Sequence, residues 1–126
     1  MGKKKSRLNH YQPQISPPQL FLYNKIKQRY KTAELNKEIK TDKGYRYADV
    51  AIQANGLGKT KYKIDIEYDG YLAHRNRMKQ DRERDLELFR AGWITIRVNK
   101  ENVDTVFDLI DGVIKNVSDS IHTIHS

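Results

Sequence analysis

Acidic side chains in two neighbouring segments are the residues of this chain whose types and spacing suit metal chemistry. Asp49 interrupts an apolar and aromatic segment, although strands disfavour Asp. In the next segment, strand alternation places Asp65, Glu67 and Asp69 together on one face. Because adjacent strands lie about 4.8 Å apart, Asp49 and Glu67 would reach one cation. Carboxylates gathered in this way repel one another unless a cation neutralises them, and oxygen-only ligands suit Mg²⁺ or Mn²⁺.

A simpler interpretation of these acids stays open. They would only solvate a polar face of the sheet and pair with Lys61 or Lys63. The sequence pattern does not decide between this role and a metal site.

His74 stands near these acids in the sequence, four residues after Gly70, whereas the other His residues lie near the termini. A His beside carboxylates is suited to general acid or base catalysis, or to donating a hydrogen bond to a phosphate. The alternative is a surface His in a basic loop. Asp81 follows in the next helical segment, among Lys and Arg side chains suited to phosphate contacts.

The overall charge predicts an anionic partner. The 126 residues include 24 Lys and Arg against 16 Asp and Glu, a formal net charge of +8, and nucleic acid is the first candidate. Because no Cys is present, a disulfide scaffold, a thiolate zinc site and a cysteine nucleophile are excluded. No apolar stretch approaches the roughly 18 residues that span a bilayer, and no signal-peptide core follows the basic start. We therefore expect a cytoplasmic protein with no membrane partner.

The first helix is predicted over residues 17–30. Ser16 is suited to capping it, Pro17 suits the first helical position, and Gln19 takes the third position of a capping box. The apolar spacing predicts a buried face formed by Leu20, Tyr23, Ile26 and Tyr30.

The remaining elements complete an α-β-β-β-α-β-α order. Strand-like segments near residues 35–39, at 45–53 and at 61–69 are separated by turn signals and predict an antiparallel meander. A helix over 77–90 then connects to a strand over 93–98, which we expect to run parallel to 61–69. A last helix follows, with an apolar stripe from Val103 to Val117. The buried positions of the helix over 77–90 would be Met78, Leu86 and Phe89.

These elements predict an α/β fold with a mixed sheet flanked by helices. We expect a flexible basic arm over 1–14, a single domain over 15–118 and a frayed C-terminal tail over 119–126. The arm would contact phosphates or would serve only as a solubilising tail. It carries half of the net charge through Lys3, Lys4, Lys5 and Arg7.

Taken in order, these residues resemble the PD-(D/E)XK nuclease superfamily. The resemblance rests on a strand with Asp49, the run from Glu67 to Gly70, His74, Asp81 and a Gly-Trp pair before a strand. More narrowly, the string is similar to the branch that contains the very-short-patch mismatch-repair endonucleases and the phage homing endonucleases called EDxHD enzymes. It extends from about residue 16 to residue 98 and implies a restriction-endonuclease-like core.

The resemblance implies roles for individual residues. Asp49 and Glu67 match metal ligands, and Asp69 would add a ligand or hold a metal-bound water. His74 matches a His that assists nucleophile or leaving-group activation, and Asp81 matches the Asp that orients it. The implied catalytic residues are therefore Asp49, Glu67, His74 and Asp81.

Two positions depart from the pattern of the superfamily. Gln19 falls where relatives often carry a Glu, so it would be an accessory residue without charge. Asp69 stands where many members have Lys and where the mismatch-repair branch has His. The Cys and His residues that bind structural zinc in some mismatch-repair relatives are absent.

The function implied by the resemblance is a Mg²⁺-dependent DNA endonuclease of phage or mobile-element type, in which Mn²⁺ would substitute. It would act in a bacterium or a phage-infected host, and specificity would come from a homodimer or a partner protein. Two alternatives remain: a non-catalytic nucleic-acid-binding module on a decayed nuclease fold, and an assembly protein whose basic surface only keeps it soluble. The expected DNA-binding residues are Lys3, Lys4, Lys5, Lys63, Arg75, Arg77, Arg82 and Arg84.

Overall fold

The computed structural model describes residues 12–56, 61–69 and 78–125, with side chains described through residue 117. Its elements are α1 (Pro17–Lys27), β1 (Glu34–Thr41), β2 (Gly44–Asn55), β3 (Lys61–Tyr68), α2 (Met78–Arg90), β4 (Trp93–Val98), a 3₁₀ turn (Val103–Thr105) and α3 (Val106–His125). The α/β class and the element order agree with the prediction.

The four strands form one mixed sheet in the order β1-β2-β3-β4. β1, β2 and β3 pair antiparallel as a meander, and β4 pairs parallel to β3, as predicted. The β1–β2 hairpin turns at Asp42 and Lys43, and Gly44 adopts a φ of 137°, which L side chains rarely adopt. The connection from β3 to β4 includes α2. This helix covers one face of the sheet, where its Leu88 packs against Trp93 of β4.

The opposite face of the sheet carries the main apolar core. Ile64 and Ile66 of β3 pack there with Leu22 of α1 and with Val106 and Ile110 of α3. Helix α3 extends to His125, beyond Ser118, where we expected the helix to end. In the part of the chain that the structure describes, no helix has both the length and the apolar character needed to cross a membrane.

Helix α1 begins as predicted, and its buried face agrees with the prediction at Ile26 but not at Leu20. The Ser16 side chain accepts a hydrogen bond from the backbone N–H of Gln19 (3.3 Å). Leu20 was expected to be buried and is exposed, whereas Gln19, Leu22 and Ile26 are buried. The helix turns this side to the sheet because Leu22 and Ile26 join the apolar core while Gln19 finds a hydrogen-bond partner on β2.

The predicted buried face of α2 was wrong. Met78, Leu86 and Phe89 are all more than half exposed, whereas Glu87 and Leu88 are buried. The physical reason lies in the sheet, whose face under α2 carries carboxylates. A polar side of the helix therefore meets that face, and the apolar side is left in solvent.

Glu87 anchors the C-terminal half of α2 to β1 and β2. Its carboxylate accepts hydrogen bonds from the Thr41 hydroxyl and from Nε (3.0 Å) and Nη2 (2.8 Å) of Arg46. The hydrogen bond from Arg46 is the main cause that lowers the pKa of Glu87. The ionised carboxylate therefore stabilises the folded state.

We predict that Glu87→Gln lowers the free energy of unfolding by about 1–3 kcal/mol at pH 7, since hydrogen bonds to a charged group are lost. Because the folded-state pKa is below that of the unfolded chain, this stabilisation is complete above the ordinary Glu pKa of about 4.3 and disappears as the pH falls through the lowered folded value. Urea unfolding at pH 7 and pH 3 measures it. Glu83→Gln, an exposed substitution on the same helix, is the control, and an equal loss for both variants at pH 7 would contradict the prediction.

Candidate active site

The candidate site lies where the sheet divides between β2 and β3. These strands pair from Asn55↔Lys61 up to Val50↔Ile66, and there the pairing ends. Beyond that point β2 continues beside β1, and β3 continues beside β4. Asp49 and Glu67 are the next residues on the two diverging strands, so both acids lie at the base of a fork in the sheet.

Side chains replace the missing strand pairing at Asp49. Its N–H donates to Oε2 of Glu67 (2.9 Å), and its C=O accepts from Nε2 of Gln19 (3.2 Å). Its own Oδ2 accepts from the N–H of Tyr68 (2.8 Å). On the other side of β2, the pairing with β1 skips the position opposite Asp49, where Asn36 has a positive φ of 53°. Both backbone polar groups of Asp49 are thus satisfied by side chains.

The carboxyl groups at the fork lie in a poorly hydrated and negatively charged place. Burial, and next the charge of Glu67, raise the pKa of Asp49 to about 7. The strand-to-strand hydrogen bonds use Oδ2 of Asp49 and Oε2 of Glu67, and the second oxygen of each carboxyl takes no part in them. An additional cation at this position would therefore be stabilised by both groups.

Asp65 adds a third carboxyl group from the same face of β3. It is fully buried, and its Oδ2 accepts from Oγ1 of Thr95 (3.3 Å) and from Nη1 of Arg84 (3.3 Å). Oδ1 of Asp65 is a buried oxygen with no hydrogen-bond donor among the described residues. Burial raises the pKa of Asp65 well above its ordinary value, and the neighbouring carboxyl group of Glu67 adds to the increase.

Arg84 brings positive charge from α2 into this group of acids. Its guanidinium lies 3.3 Å from Oδ2 of Asp65 and 3.4 Å from Oε1 of Glu67, and Nη2 donates to the C=O of Tyr47 at 2.8 Å. The side chain is only 17% exposed. It was expected to contact DNA phosphates, but in the structure it faces the acids of the sheet instead.

Arg97 organises a second group of acids at the end of β3. Its guanidinium contacts Asp85 (2.6 Å), Asp69 (3.1 Å) and Asp81 (3.8 Å). Arg97 thereby relieves the repulsion between Asp81 and Asp85, which lie four residues apart on α2. Asp69 and Asp81 therefore lie together in an ion-pair network adjacent to the fork.

The residues at the fork fit a Mg²⁺ ion in their donor chemistry. Among the described side chains, those of residues 12–56, 61–69 and 78–117, no group of three or more Asp, Glu, His or Cys is arranged to hold a metal. Mg²⁺ does not require such a group, because it is usually bound through one or two carboxylates, several waters and substrate phosphates. Asp49 and Glu67 supply two adjacent carboxylates, and the donor-free Oδ1 of Asp65 lies on the same face. Asp69 instead lies at Arg97.

Several predicted site residues fall elsewhere. Lys63 lies on the same face of β3, with its ammonium 5.8 Å from the centre of the Trp93 ring, and Arg82 is exposed on α2. Gln19, the expected accessory residue, contacts the backbone of Asp49 and not a carboxylate. Lys3, Lys4, Lys5, His74, Arg75 and Arg77 lie outside the described residues.

Sequence reasoning missed the roles of Asp65 and Arg97. Asp65 was recognised as sharing a face with Glu67, but not as a buried member of the site. Arg97 lies directly beside Glu67 in the parallel β3–β4 register, and this neighbour becomes visible only when that register is known.

Comparison of the chain with protein-family models, with curated proteins and with solved structures found no match.

We predict that Gln19→Glu destabilises the protein by more than Gln19→Ala does. Alanine leaves the C=O of Asp49 without its donor, at a cost of about 1–3 kcal/mol, and glutamate adds a negative charge beside that carbonyl and the acids of the fork. Urea unfolding at pH 8 measures both variants. Asn24→Ala, an exposed substitution on the same helix, should change stability by less than about 0.5 kcal/mol. Equal stability of Gln19→Glu and wild type would contradict the role assigned to the amide.

Proposed function

We propose that this protein is a Mg²⁺-dependent DNA endonuclease with a restriction-endonuclease-like core, similar to the very-short-patch repair and EDxHD branch of the PD-(D/E)XK nucleases. The observation that carries the proposal is the meeting of Asp49 and Glu67 at the fork between β2 and β3. A basic protein that only bound a polyanion would have little use for acids gathered at one point of its sheet.

In this proposal, Asp49 and Glu67 hold the metal. When bound, Mg²⁺ polarises the scissile phosphate and lowers the pKa of a bound water. Gln19 supports the position of Asp49 through its backbone carbonyl, and Tyr68 N–H fixes one oxygen of the Asp49 carboxylate. The other oxygen is thereby held in a defined direction.

His74 is the proposed general base or acid, and Asp81 the residue that orients it. The support for Asp81 is its place in the Arg97 network, next to Asp69 and therefore close to the end of β3. Lys63 and Arg82 are proposed to contact phosphates without reading sequence. Target choice would then depend on a second copy of the chain or on a partner protein.

We expect Asp49→Asn and Glu67→Gln to reduce cleavage of supercoiled plasmid at least ~100-fold in Mg²⁺, because several kcal/mol of charge stabilisation are lost. Asp49→Asn keeps an oxygen that accepts from Tyr68 N–H, so the fork should remain folded. The assay compares Mg²⁺, Mn²⁺ and EDTA on supercoiled, linear, single-stranded and branched DNA. Retention on DNA in EDTA is measured with the same preparations.

Glu101→Gln, an exposed substitution of an acid that is not one of the predicted site residues, is the matched control and should cleave at the wild-type rate. Binding to DNA should survive in both fork variants. If Asp49→Asn cleaved plasmid as fast as wild type, the metal site would not be at the fork.

A second candidate function is a non-catalytic nucleic-acid-binding module. Two observations favour it: Arg84 already contacts Glu67, and Gln19 brings no negative charge to the site. This alternative predicts that the logarithm of the association constant for DNA falls steeply and linearly with the logarithm of the salt concentration, with no cleavage at any protein-to-DNA ratio in Mg²⁺ or Mn²⁺. Fluorescence anisotropy from about 50 to 200 mM salt, beside the plasmid assay, separates the two functions. Metal-dependent cleavage by the wild type that is lost in Asp49→Asn would contradict the non-catalytic alternative.

A further inference from the structure

Arg84 lies beside the carboxylates of the proposed metal site. A guanidinium is a permanent cation, and this one lies among Asp65, Glu67 and the C=O of Tyr47 with only 17% of its side chain exposed. It thus brings positive charge to the carboxylates from which a divalent ion would gain its binding energy.

The contacts of Arg84 join both sides of the fork. The C=O of Tyr47 belongs to β2, whereas the two carboxylates belong to β3. One side chain of α2 therefore connects the diverging strands at the position where they no longer pair. Lysine, with a single ammonium group, does not reproduce the planar set of donors that makes these three contacts.

The charges at the fork are not balanced by Arg84 alone. Asp49 and Glu67, the two proposed metal ligands, are both acids, and Arg84 brings one positive charge. Oδ1 of Asp65 also has no donor among the described residues, although it is buried. The carboxyl groups of the site can therefore bind a further cation in addition to the guanidinium of Arg84.

We propose that Arg84 is a positioning residue that acts as a built-in counter-ion: it joins β2 and β3 at the fork before a divalent cation binds, and it competes with that cation for Glu67. This inference rests on the proposed function, because it concerns the same carboxylates. Its consequence is that the free protein binds divalent cations weakly, and that removal of the positive charge of Arg84 strengthens the binding.

The test is Mn²⁺ binding to the full chain without DNA, followed by electron paramagnetic resonance of free Mn²⁺. Arg84→Gln should bind Mn²⁺ at least ~10-fold more tightly than wild type, because like charges a few ångströms apart repel strongly even at an effective dielectric constant of about 20. Arg84→Lys keeps the charge, so its affinity should stay within ~3-fold of wild type. Arg90→Gln is the matched control, since Arg90 lies on the same helix in an exposed ion pair with Asp42, and it should leave the affinity unchanged.

Thermal unfolding of the same variants provides the second measurement. Arg84→Gln should melt at a lower temperature than wild type in EDTA and should recover more of its melting temperature when Mn²⁺ is added, because ligand binding to the folded state adds stability. Equal or weaker Mn²⁺ binding by folded Arg84→Gln would overturn the inference.

If Arg84→Gln does not fold, the inference is tested on the wild-type protein instead. The Nε–H resonances of ¹⁵N-labelled arginine are followed during a Mg²⁺ titration, with Arg90, in its exposed ion pair with Asp42, as the internal reference. We expect Mg²⁺ to shift the Arg84 resonance and to accelerate its hydrogen exchange. An unchanged Arg84 resonance, at Mg²⁺ concentrations that shift the amides of Asp49 and Glu67, would overturn the inference.

Failure of this inference is distinguishable from failure of the proposed function. If the Mn²⁺ affinities of the variants follow the expected order but the wild type cleaves no DNA, only the nuclease function is contradicted. Metal-dependent cleavage by the wild type, together with no gain in affinity for Arg84→Gln, would contradict only the counter-ion role.

Discussion

Two arginines hold helix α2 against a sheet face that carries carboxylates where apolar side chains would be expected. Arg84 reaches from the helix to Asp65 and Glu67, and Arg97 reaches from β4 to Asp81 and Asp85 on the helix. Burying unpaired acids is costly, so these ion pairs are needed where α2 lies over the carboxylates of the sheet. The placement of the candidate site, and the burial of its acids, both follow from this contact.

The two faces of the sheet differ in how apolar they are. The face under α1 and α3 is an apolar core that includes Ile64 and Ile66 and supplies stability by excluding water. The face under α2 has only a small apolar cluster around Leu88 and Trp93 beside its charged groups. A buried ionic arrangement contributes less to stability than an apolar core of the same size, so the face under α1 and α3 supplies most of the stability of the fold.

The prediction of the fold succeeded where the pattern was local. Alternation in residues 61–69 identified β3, Ser16 identified the start of α1, and a strand after a helix indicated the parallel pairing of β4. The buried face of α3 was also predicted correctly, whereas that of α2 was not. Met78, Leu86 and Phe89 were assigned to the core by their apolar character, but the sheet face that α2 covers selected its polar side. No property of the helix segment by itself contains that information.

Part of the candidate site could likewise be predicted from the sequence, and part could not. The sequence by itself determined that Asp49 stands in a strand and that Asp65, Glu67 and Asp69 share one face of the next, because the alternation of a strand is a local property. Only the tertiary structure decided that Asp49 and Glu67 meet at a fork, that Asp69 lies instead at Arg97, and that Arg84 points into the acids. These outcomes depend on strand register and on the docking of α2, which are set by contacts between residues far apart in the chain.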